Sequence, residues 1–159
     1  LNISMRNITV STCGVVPRIY ELMNLNLQLT LTISLHAPND EIRSNTMPIN
    51  NKYKIDELLA ACRKYGEKTG RRVSFEYTLI KDVNDSKENA LELATRLKGM
   101  NAHVNLIPVN DVKERGNIKS SKKAILNFQN ILKKKRDKCY NKTYFGRRYQ
   151  CVMRSITTS

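Results

Sequence analysis

The chain has 159 residues, of which 40% are hydrophobic and 26% charged, and its formal net charge is +14 at pH 7. This composition predicts one folded, soluble domain without a membrane span, because no apolar run approaches the roughly 18 residues that a membrane helix needs. The excess of positive charge favours a polyanionic partner, RNA or DNA ahead of an acidic protein, although a basic surface that serves only solubility would show the same excess.

The sequence alternates predicted strands with predicted helices. Short stretches rich in β-branched residues indicate strands, and apolar residues at a spacing of three or four indicate helices. In chain order, the predicted elements are the strand Ile8–Ser11, the helix Pro17–Met23, the strand Leu27–His36, helices over residues 39–47 and 55–70, the strand Arg72–Ile80, a helix over residues 84–99, the strand Ala102–Asn110 and a helix over residues 120–135. Strands separated by helical connections predict an α/β fold with a parallel sheet or barrel and outer helices.

Two of the helices carry recognisable start signals. Asp85 is predicted to cap the helix over residues 84–99, with Glu88 three residues later completing a capping box and Gly99 closing the helix. Ser120 or Ser121 is predicted to begin the last helix.

Polar residues follow the carboxyl ends of the four predicted strands. Ser11, Ser34, His36, Asp85 and Asn110 would all lie at one rim, where ligands bind in such folds. Hydroxyls, amides and one imidazole suit a polar small molecule held by hydrogen bonds. The rim has no nucleophile beside a base and no pair of carboxylates, which argues against hydrolysis.

Each rim residue also has a purely structural interpretation. Ser11 could cap the helix that follows it, and Asp85 and Asn110 could simply form turns. His36 could be a buried histidine whose hydrogen bonds are satisfied inside the fold. The agreement among four strand ends is what favours a binding site.

The cysteines and the distribution of charge add two constraints. The four cysteines lack any Cys-x-x-Cys spacing, which favours reduced thiols in a cytoplasmic protein; they are Cys13, Cys62, Cys139 and Cys151. Residues 1–135 contain 22 basic and 13 acidic side chains, so the body is basic without the last 24 residues.

Several motifs resemble one family closely: "ITVSTCGVVPRI", "LTISLHAPNDEIRS", "MPINNKY", "GRRVSFEYTLIKDVNDS" and "HVNLIPVN". In this order and spacing they are similar to the radical-SAM adenine-C2 methyltransferases that modify large-subunit ribosomal RNA and transfer RNA. The resemblance runs from about Asn7 to Lys135. It implies part of an open radical-SAM (β/α) barrel, about its third to sixth strands with their outer helices, over residues 1–135.

The resemblance also implies a cofactor site. By similarity, S-adenosylmethionine would contact a set of five residues, namely Ser11, Ser34, Leu35, His36 and Asn110. Cys13 would be a small buried residue beside this ligand rather than a cluster ligand. The family's partners would be ribosomal RNA and tRNA, together with an electron donor for the cluster, and the intact enzyme would be a monomer in the cytoplasm with no membrane contact.

Two features of the family have no counterpart in the sequence. The Cys-x-x-x-Cys-x-x-Cys motif that binds a 4Fe-4S cluster is absent, so we expect it upstream of Leu1 with the RNA-binding domain. The methyl-carrying cysteine of a C-terminal "CGQL" stretch is absent too. The 159 residues are therefore predicted to be an inactive fragment of an RNA methyltransferase. The alternatives are a non-enzymatic, basic RNA-binding α/β module and a different radical-SAM enzyme.

Residues 136–159 show no helix or strand period and are predicted to be a disordered, frameshifted tail. Arginines interleaved with aromatics would also suit an RNA-binding arm, and Cys139 with Cys151 would be only half of a metal site. Removing one adenine after the codons of Lys133–Lys135 from a back-translation gives "GINVTIRHTLGGDINASCGQLR", which restores the missing motif. The restored cysteine codon straddles Met153 and Arg154, so Cys151 is not the methyl carrier; resequencing the gene there tests the frameshift.

Overall fold

A computed structural model describes residues 4–109 and 119–140 of the chain, with side chains as far as Lys135. Within these residues, strands and helices alternate along the whole length. The elements are β1 (Thr9–Thr12), α1 (Val16–Asn24), β2 (Thr30–Ser34), α2 (Asp40–Thr46), α3 (Ile55–Thr69), β3 (Val73–Leu79), α4 (Lys87–Arg96), β4 (Ala102–Pro108) and α5 (Lys122–Tyr140), with short 3-10 helices at Met5–Asn7 and Pro48–Asn51.

The four strands form one parallel sheet in the order β1-β2-β3-β4. Parallel neighbours require crossover connections, which are right-handed in nearly all proteins. When the strands follow chain order and every crossover has the same hand, the connecting helices all lie on the same face of the sheet. This arrangement confirms the predicted α/β fold and matches part of a (β/α) barrel.

The face of the sheet that meets the helices is apolar. On β3 the residues of this face are almost fully buried: Val73, Phe75, Tyr77 and Leu79. They join a single hydrophobic cluster with the buried sides of the helices, where the ring centroids of Tyr77 and Phe128 lie 5.1 Å apart. This cluster is the core of the described chain.

The opposite face of the sheet is polar. The register places Ser11 opposite Thr32, and it places Ser34, Glu76 and Asn105 side by side on three neighbouring strands. We call these five residues the polar face; side chains alternate along a strand, so all five lie on the side away from the helices. Parallel sheets are normally covered on both sides by apolar layers, and a polar row in this position indicates a surface that meets a ligand or water.

The helix starts differ in part from the predictions. The capping box of α4 is formed by Ser86 and Asn89, whose side chains each accept a hydrogen bond from the other's backbone N–H at 3.1 and 3.2 Å. The predicted cap at Asp85 with Glu88 was wrong by one residue, because Asn89 supplies the same acceptor as a glutamate. Ser121 caps α5 by accepting from the N–H of Ala124, as predicted.

The last helix is longer than predicted. α5 continues to Tyr140, five residues into the segment for which disorder is predicted, because no glycine or proline interrupts its run of basic helix formers. Residues 141–159 lie outside the described residues, and the frameshift stays a prediction. Among the described residues, no helix is long and apolar enough to cross a membrane.

Candidate ligand site at the strand ends

Ser11 and Ser34 present hydroxyls on the polar face near the carboxyl ends of β1 and β2. Ser11 is exposed and does not cap α1, whose N-cap is Val15. The Ser34 hydroxyl lies 3.4 Å from the Glu76 carboxylate, the outer limit of a hydrogen bond. Both hydroxyls therefore remain able to bind a ligand.

His36 is held in an unusual backbone conformation directly after β2. Its φ angle is 56°, in the left-handed region that non-glycine residues seldom adopt. Its backbone N–H and that of Leu35 both donate to the Glu76 carbonyl, at 3.1 and 3.0 Å. Its Nδ1 accepts a hydrogen bond from the Thr78 N–H at 3.1 Å. The neutral imidazole must then carry its proton on Nε2, which gives the site a hydrogen-bond donor.

The electrostatic setting keeps His36 neutral. Burial lowers the pKa of His36, since a desolvated imidazolium is unfavourable; the Glu76 carboxylate opposes this shift and the Arg43 guanidinium adds to it. Protonation would also break the bond from Thr78 to Nδ1. His36 is suited to donate a hydrogen bond to a ligand rather than to act as a cation.

Asn84 ties the loop after β3 to the end of β2, and the sequence analysis missed it. The side chain is fully buried. Its amide group donates to the carbonyls of His36 and Thr78 at 2.8 and 2.7 Å, and its oxygen accepts from the Ile80 N–H at 2.7 Å. An asparagine in a polar "NDS" stretch gives no sequence signal for such burial, because turn residues look alike until the fold brings strand ends together.

The structure describes three of the four remaining predicted residues. Leu35 has a fully buried side chain in the hydrophobic cluster, and its N–H already donates to the Glu76 carbonyl. A ligand would contact only its carbonyl, which accepts from Arg43 and has a second lone pair. Asp85 makes a turn, accepting from the Asp82 N–H at 3.0 Å, which agrees with its structural interpretation. Cys13 is exposed, and its predicted burial was wrong because its backbone carbonyl, and not its side chain, contacts the buried Arg43. Asn110 lies outside the described residues.

The described residues do not fit an iron–sulfur cluster. They contain no group of three or more histidine, cysteine, aspartate or glutamate side chains that could hold a metal. Burial raises the pKa of Cys62 to about 12, which disfavours the thiolate form that binds metals. The free hydroxyls, the Nε2–H of His36 and the Glu76 carboxylate do fit a polar, hydroxyl-bearing ligand.

The profile of the Radical SAM superfamily matches residues 2–94, more than half of the chain. The chain belongs to the radical SAM superfamily. Its relatives include two proteins named "Probable dual-specificity RNA methyltransferase RlmN". The one from Lachnospira eligens is 59% identical over 134 residues, 84% of this chain and 38% of the relative. The one from Clostridium botulinum is 61% identical over 132 residues, 83% of this chain and 38% of the relative.

A solved structure of a radical SAM methyltransferase agrees with this membership. A radical SAM methyltransferase from Sphaerobacter thermophilus superposes with a TM-score of 0.83 at 45% identity, covering 96% of this chain and 42% of that one. A domain of a pyruvate-formate lyase-activating enzyme from Bacteroides vulgatus superposes with a TM-score of 0.62 at 17% identity, over 80% of this chain, and shows the shared fold alone. The radical SAM chain spans about two fifths of the length of the curated relatives it matches.

Proposed function

We propose that this chain is part of a radical SAM enzyme that methylates C2 of adenine in ribosomal RNA and tRNA, with its polar face forming one wall of the S-adenosylmethionine site. One observation carries the proposal. The segment that is about 60% identical to RNA methyltransferases is the same segment that places polar side chains, among them the exposed Ser11 and the half-buried Ser34, on one face of a parallel sheet.

The residues of the site would bind the ligand through hydrogen bonds. Ser11 and Ser34 offer hydroxyls that donate or accept, and His36 offers a donor at Nε2. The carbonyl of Leu35, which has a second lone pair besides the one that accepts from Arg43, and the side chain of Asn110 complete the proposed set. S-adenosylmethionine, when bound, supplies the methyl group; the role of these residues is to orient the ligand and to replace the water around its polar groups.

The RNA substrate, the electron donor for a 4Fe-4S cluster, the monomeric state and the cytoplasmic location belong to the same proposal for the whole enzyme. The basic composition of residues 1–135 supports an RNA partner. The 159 residues alone would be inactive, because the part of the chain that the structure describes offers no ligand set for the cluster.

Replacing Ser34 or Asn110 by alanine tests the proposal in a full-length protein, extended to the length of its curated relatives. Each change should weaken S-adenosylmethionine binding by about 1–3 kcal/mol, because a polar ligand group is left unpaired in a closed site. Isothermal titration calorimetry measures the affinity directly. Ser74→Ala is the matched control: Ser74 lies on the same side of β3, two residues before Glu76 and farther from the strand ends.

Two results would contradict the proposal. Unchanged affinity in both Ser34→Ala and Asn110→Ala would remove the assigned site. A full-length protein that binds RNA but shows no heat of S-adenosylmethionine binding would favour the alternative, a basic RNA-binding α/β module without catalysis.

A further inference from the structure

Arg43 lies under the strand ends as a completely buried cation. Its side chain is 0% exposed, although arginine is among the residues seldom buried without a partner. None of the ion pairs in the described part of the chain involves it. It donates its hydrogen bonds to neutral oxygen atoms instead. Burial lowers the pKa of Arg43 and the Asp40 carboxylate raises it only through space, so its position needs an explanation other than a salt bridge.

The guanidinium of Arg43 binds backbone carbonyls at the ends of two strands. Nη2 donates to the carbonyls of Cys13 and Ser34, at 2.7 and 3.3 Å, and Nε donates to the Leu35 carbonyl at 3.2 Å. Cys13 and Leu35 directly follow β1 and β2, where the sheet no longer pairs every carbonyl. A planar group with five fixed donors can hold several such carbonyls in one geometry.

A second set of hydrogen bonds holds Arg43 itself. Nη1 donates to the Asn50 side-chain oxygen at 3.0 Å, and the Asn50 amide nitrogen donates to Asp40 and Ser44 at 2.8 and 2.9 Å. The same oxygen of Asp40 accepts from the Ile55 N–H at the start of α3, at 2.8 Å. The "NDEIRS" stretch, which contains Arg43, and the "MPIN" stretch, which contains Asn50, are therefore joined by hydrogen bonds that hold the guanidinium in place.

The chain after β1 is shaped around this guanidinium. Gly14 has a φ angle of 107°, and a Cβ atom there would lie 2.9 Å from a Leu58 methyl carbon and 3.2 Å from Nη2 of Arg43. A side chain at Gly14 would therefore push the strand end away from the cation. Glycine lets the Cys13 carbonyl approach to hydrogen-bond distance.

We propose that Arg43 is a positioning residue for the S-adenosylmethionine site: it fixes the ends of β1 and β2 so that Ser34 and His36 face the ligand together. The inference rests on the proposed function. Arg43 does not touch the ligand, because its side chain is fully buried and its donors are directed at Cys13, Ser34, Leu35 and Asn50.

The test compares Arg43→Met, Arg43→Lys and Tyr65→Phe with the unmodified full-length protein. Tyr65 is the matched control, because its buried hydroxyl donates to the Leu29 carbonyl at 3.0 Å, at the opposite end of β2. Calorimetry gives the affinity for S-adenosylmethionine and, through the stoichiometry, the fraction of folded protein. A binding assay with an RNA substrate gives the second affinity, and thermal unfolding reports stability.

We expect Arg43→Met to raise the Kd for S-adenosylmethionine by about tenfold or more, since the unpaired carbonyls lie beside Ser34 and His36. The Kd for RNA should stay within about twofold, because Arg43 is fully buried and contributes nothing to the protein surface. Arg43→Lys should give an intermediate Kd for S-adenosylmethionine, because an ammonium keeps the charge but lacks the planar set of donors of a guanidinium. Tyr65→Phe should lower the unfolding temperature and leave both affinities unchanged.

Equal losses of both affinities, or an S-adenosylmethionine affinity in Arg43→Met that matches the unmodified protein, would overturn the inference. If Arg43→Met does not fold, Arg43→Lys is the deciding variant. A folded lysine variant with unchanged affinity for S-adenosylmethionine also overturns the inference. Binding that is lost in Ser34→Ala but kept in the Arg43 variants contradicts this inference alone, whereas an unmodified protein that does not bind S-adenosylmethionine contradicts the proposed function.

Discussion

The two faces of the sheet are built from alternate residues of the same strands, yet they have different tasks. On β3, the helix side presents Phe75 and Tyr77 to the core, whereas Ser74, Glu76 and Thr78 are only half-buried on the other side. The core side supplies apolar contact area, which dominates folding stability. The polar side contributes little to stability and holds the groups that can bind a ligand.

Along one parallel strand, alternate residues can therefore serve the stability of the core and the binding of a ligand. A shift of one residue in register would exchange the two faces. At the carboxyl ends of the strands, the buried side chains of Arg43 and Asn84 donate hydrogen bonds to carbonyls that the sheet leaves unpaired. Substitutions in the full-length protein can separate the contributions of these regions.

Phe75→Ala should destabilise the protein by about 3–5 kcal/mol, because it removes a fully buried ring from the centre of the core and leaves a cavity. Urea unfolding followed by circular dichroism measures the change. Its neighbour Ser74, on the polar side, gives the control: Ser74→Ala should change the free energy of unfolding by less than about 0.5 kcal/mol. Similar losses at both positions would contradict the division between the faces.

Asn84→Ala should destabilise the protein by about 1–3 kcal/mol, because it leaves buried polar groups unpaired. The groups are the carbonyls of His36 and Thr78 and the N–H of Ile80. The same unfolding measurement applies, with Asn24→Ala as the comparison, since Asn24 is exposed at the end of α1. If the two alanine variants are equally stable, the polar end of the sheet does not depend on Asn84.

His36 should make stability depend on pH. Burial lowers its pKa in the folded state, so the unfolded chain takes up the proton first, at about pH 6.5. The free energy of unfolding should therefore fall as the pH drops below about 6.5 towards the folded-state pKa. Urea unfolding at pH 7.5 and 5.5 measures the drop.

The variant His36→Asn isolates this contribution, because asparagine tolerates the positive φ angle but does not titrate. The drop in stability between the two pH values should be smaller in this variant than in the unmodified protein. An equal drop in both proteins would show that other groups cause the pH dependence.

Thr32→Val should have the smallest effect. Thr32 lies on the polar face next to Ser11, and valine keeps the β-branched shape that suits a strand. Thr32 is only 8% exposed, and the exchange replaces one hydroxyl by a methyl group, so we expect the free energy of unfolding to change by less than about 1 kcal/mol, which urea unfolding can bound. A large loss would mean that the Thr32 hydroxyl stabilises the fold and that the polar face is not separable from it.

Much of the fold was predictable because it depends on local patterns. The apolar and β-branched residues of Arg72–Ile80 predicted β3, and the spacing of Ile55, Leu58 and Cys62 predicted the buried side of α3. The polar strand ends predicted the edge at which Ser34 and His36 meet. Capping was less predictable, since Asp85 and Ser86 are both good caps and only the backbone path decides between them.

Three properties follow from the sequence alone: the order of strands and helices, the α/β class and, through the motifs, the radical SAM family. They depend only on periodicity and residue type along the chain. Which polar residues stabilise the fold depends on the tertiary structure. Asn84 and Arg43 look like surface residues in the sequence, yet both are completely buried. The physical reason is that carbonyls left unpaired at strand ends need donors from segments distant in sequence, and only folding brings those donors to them.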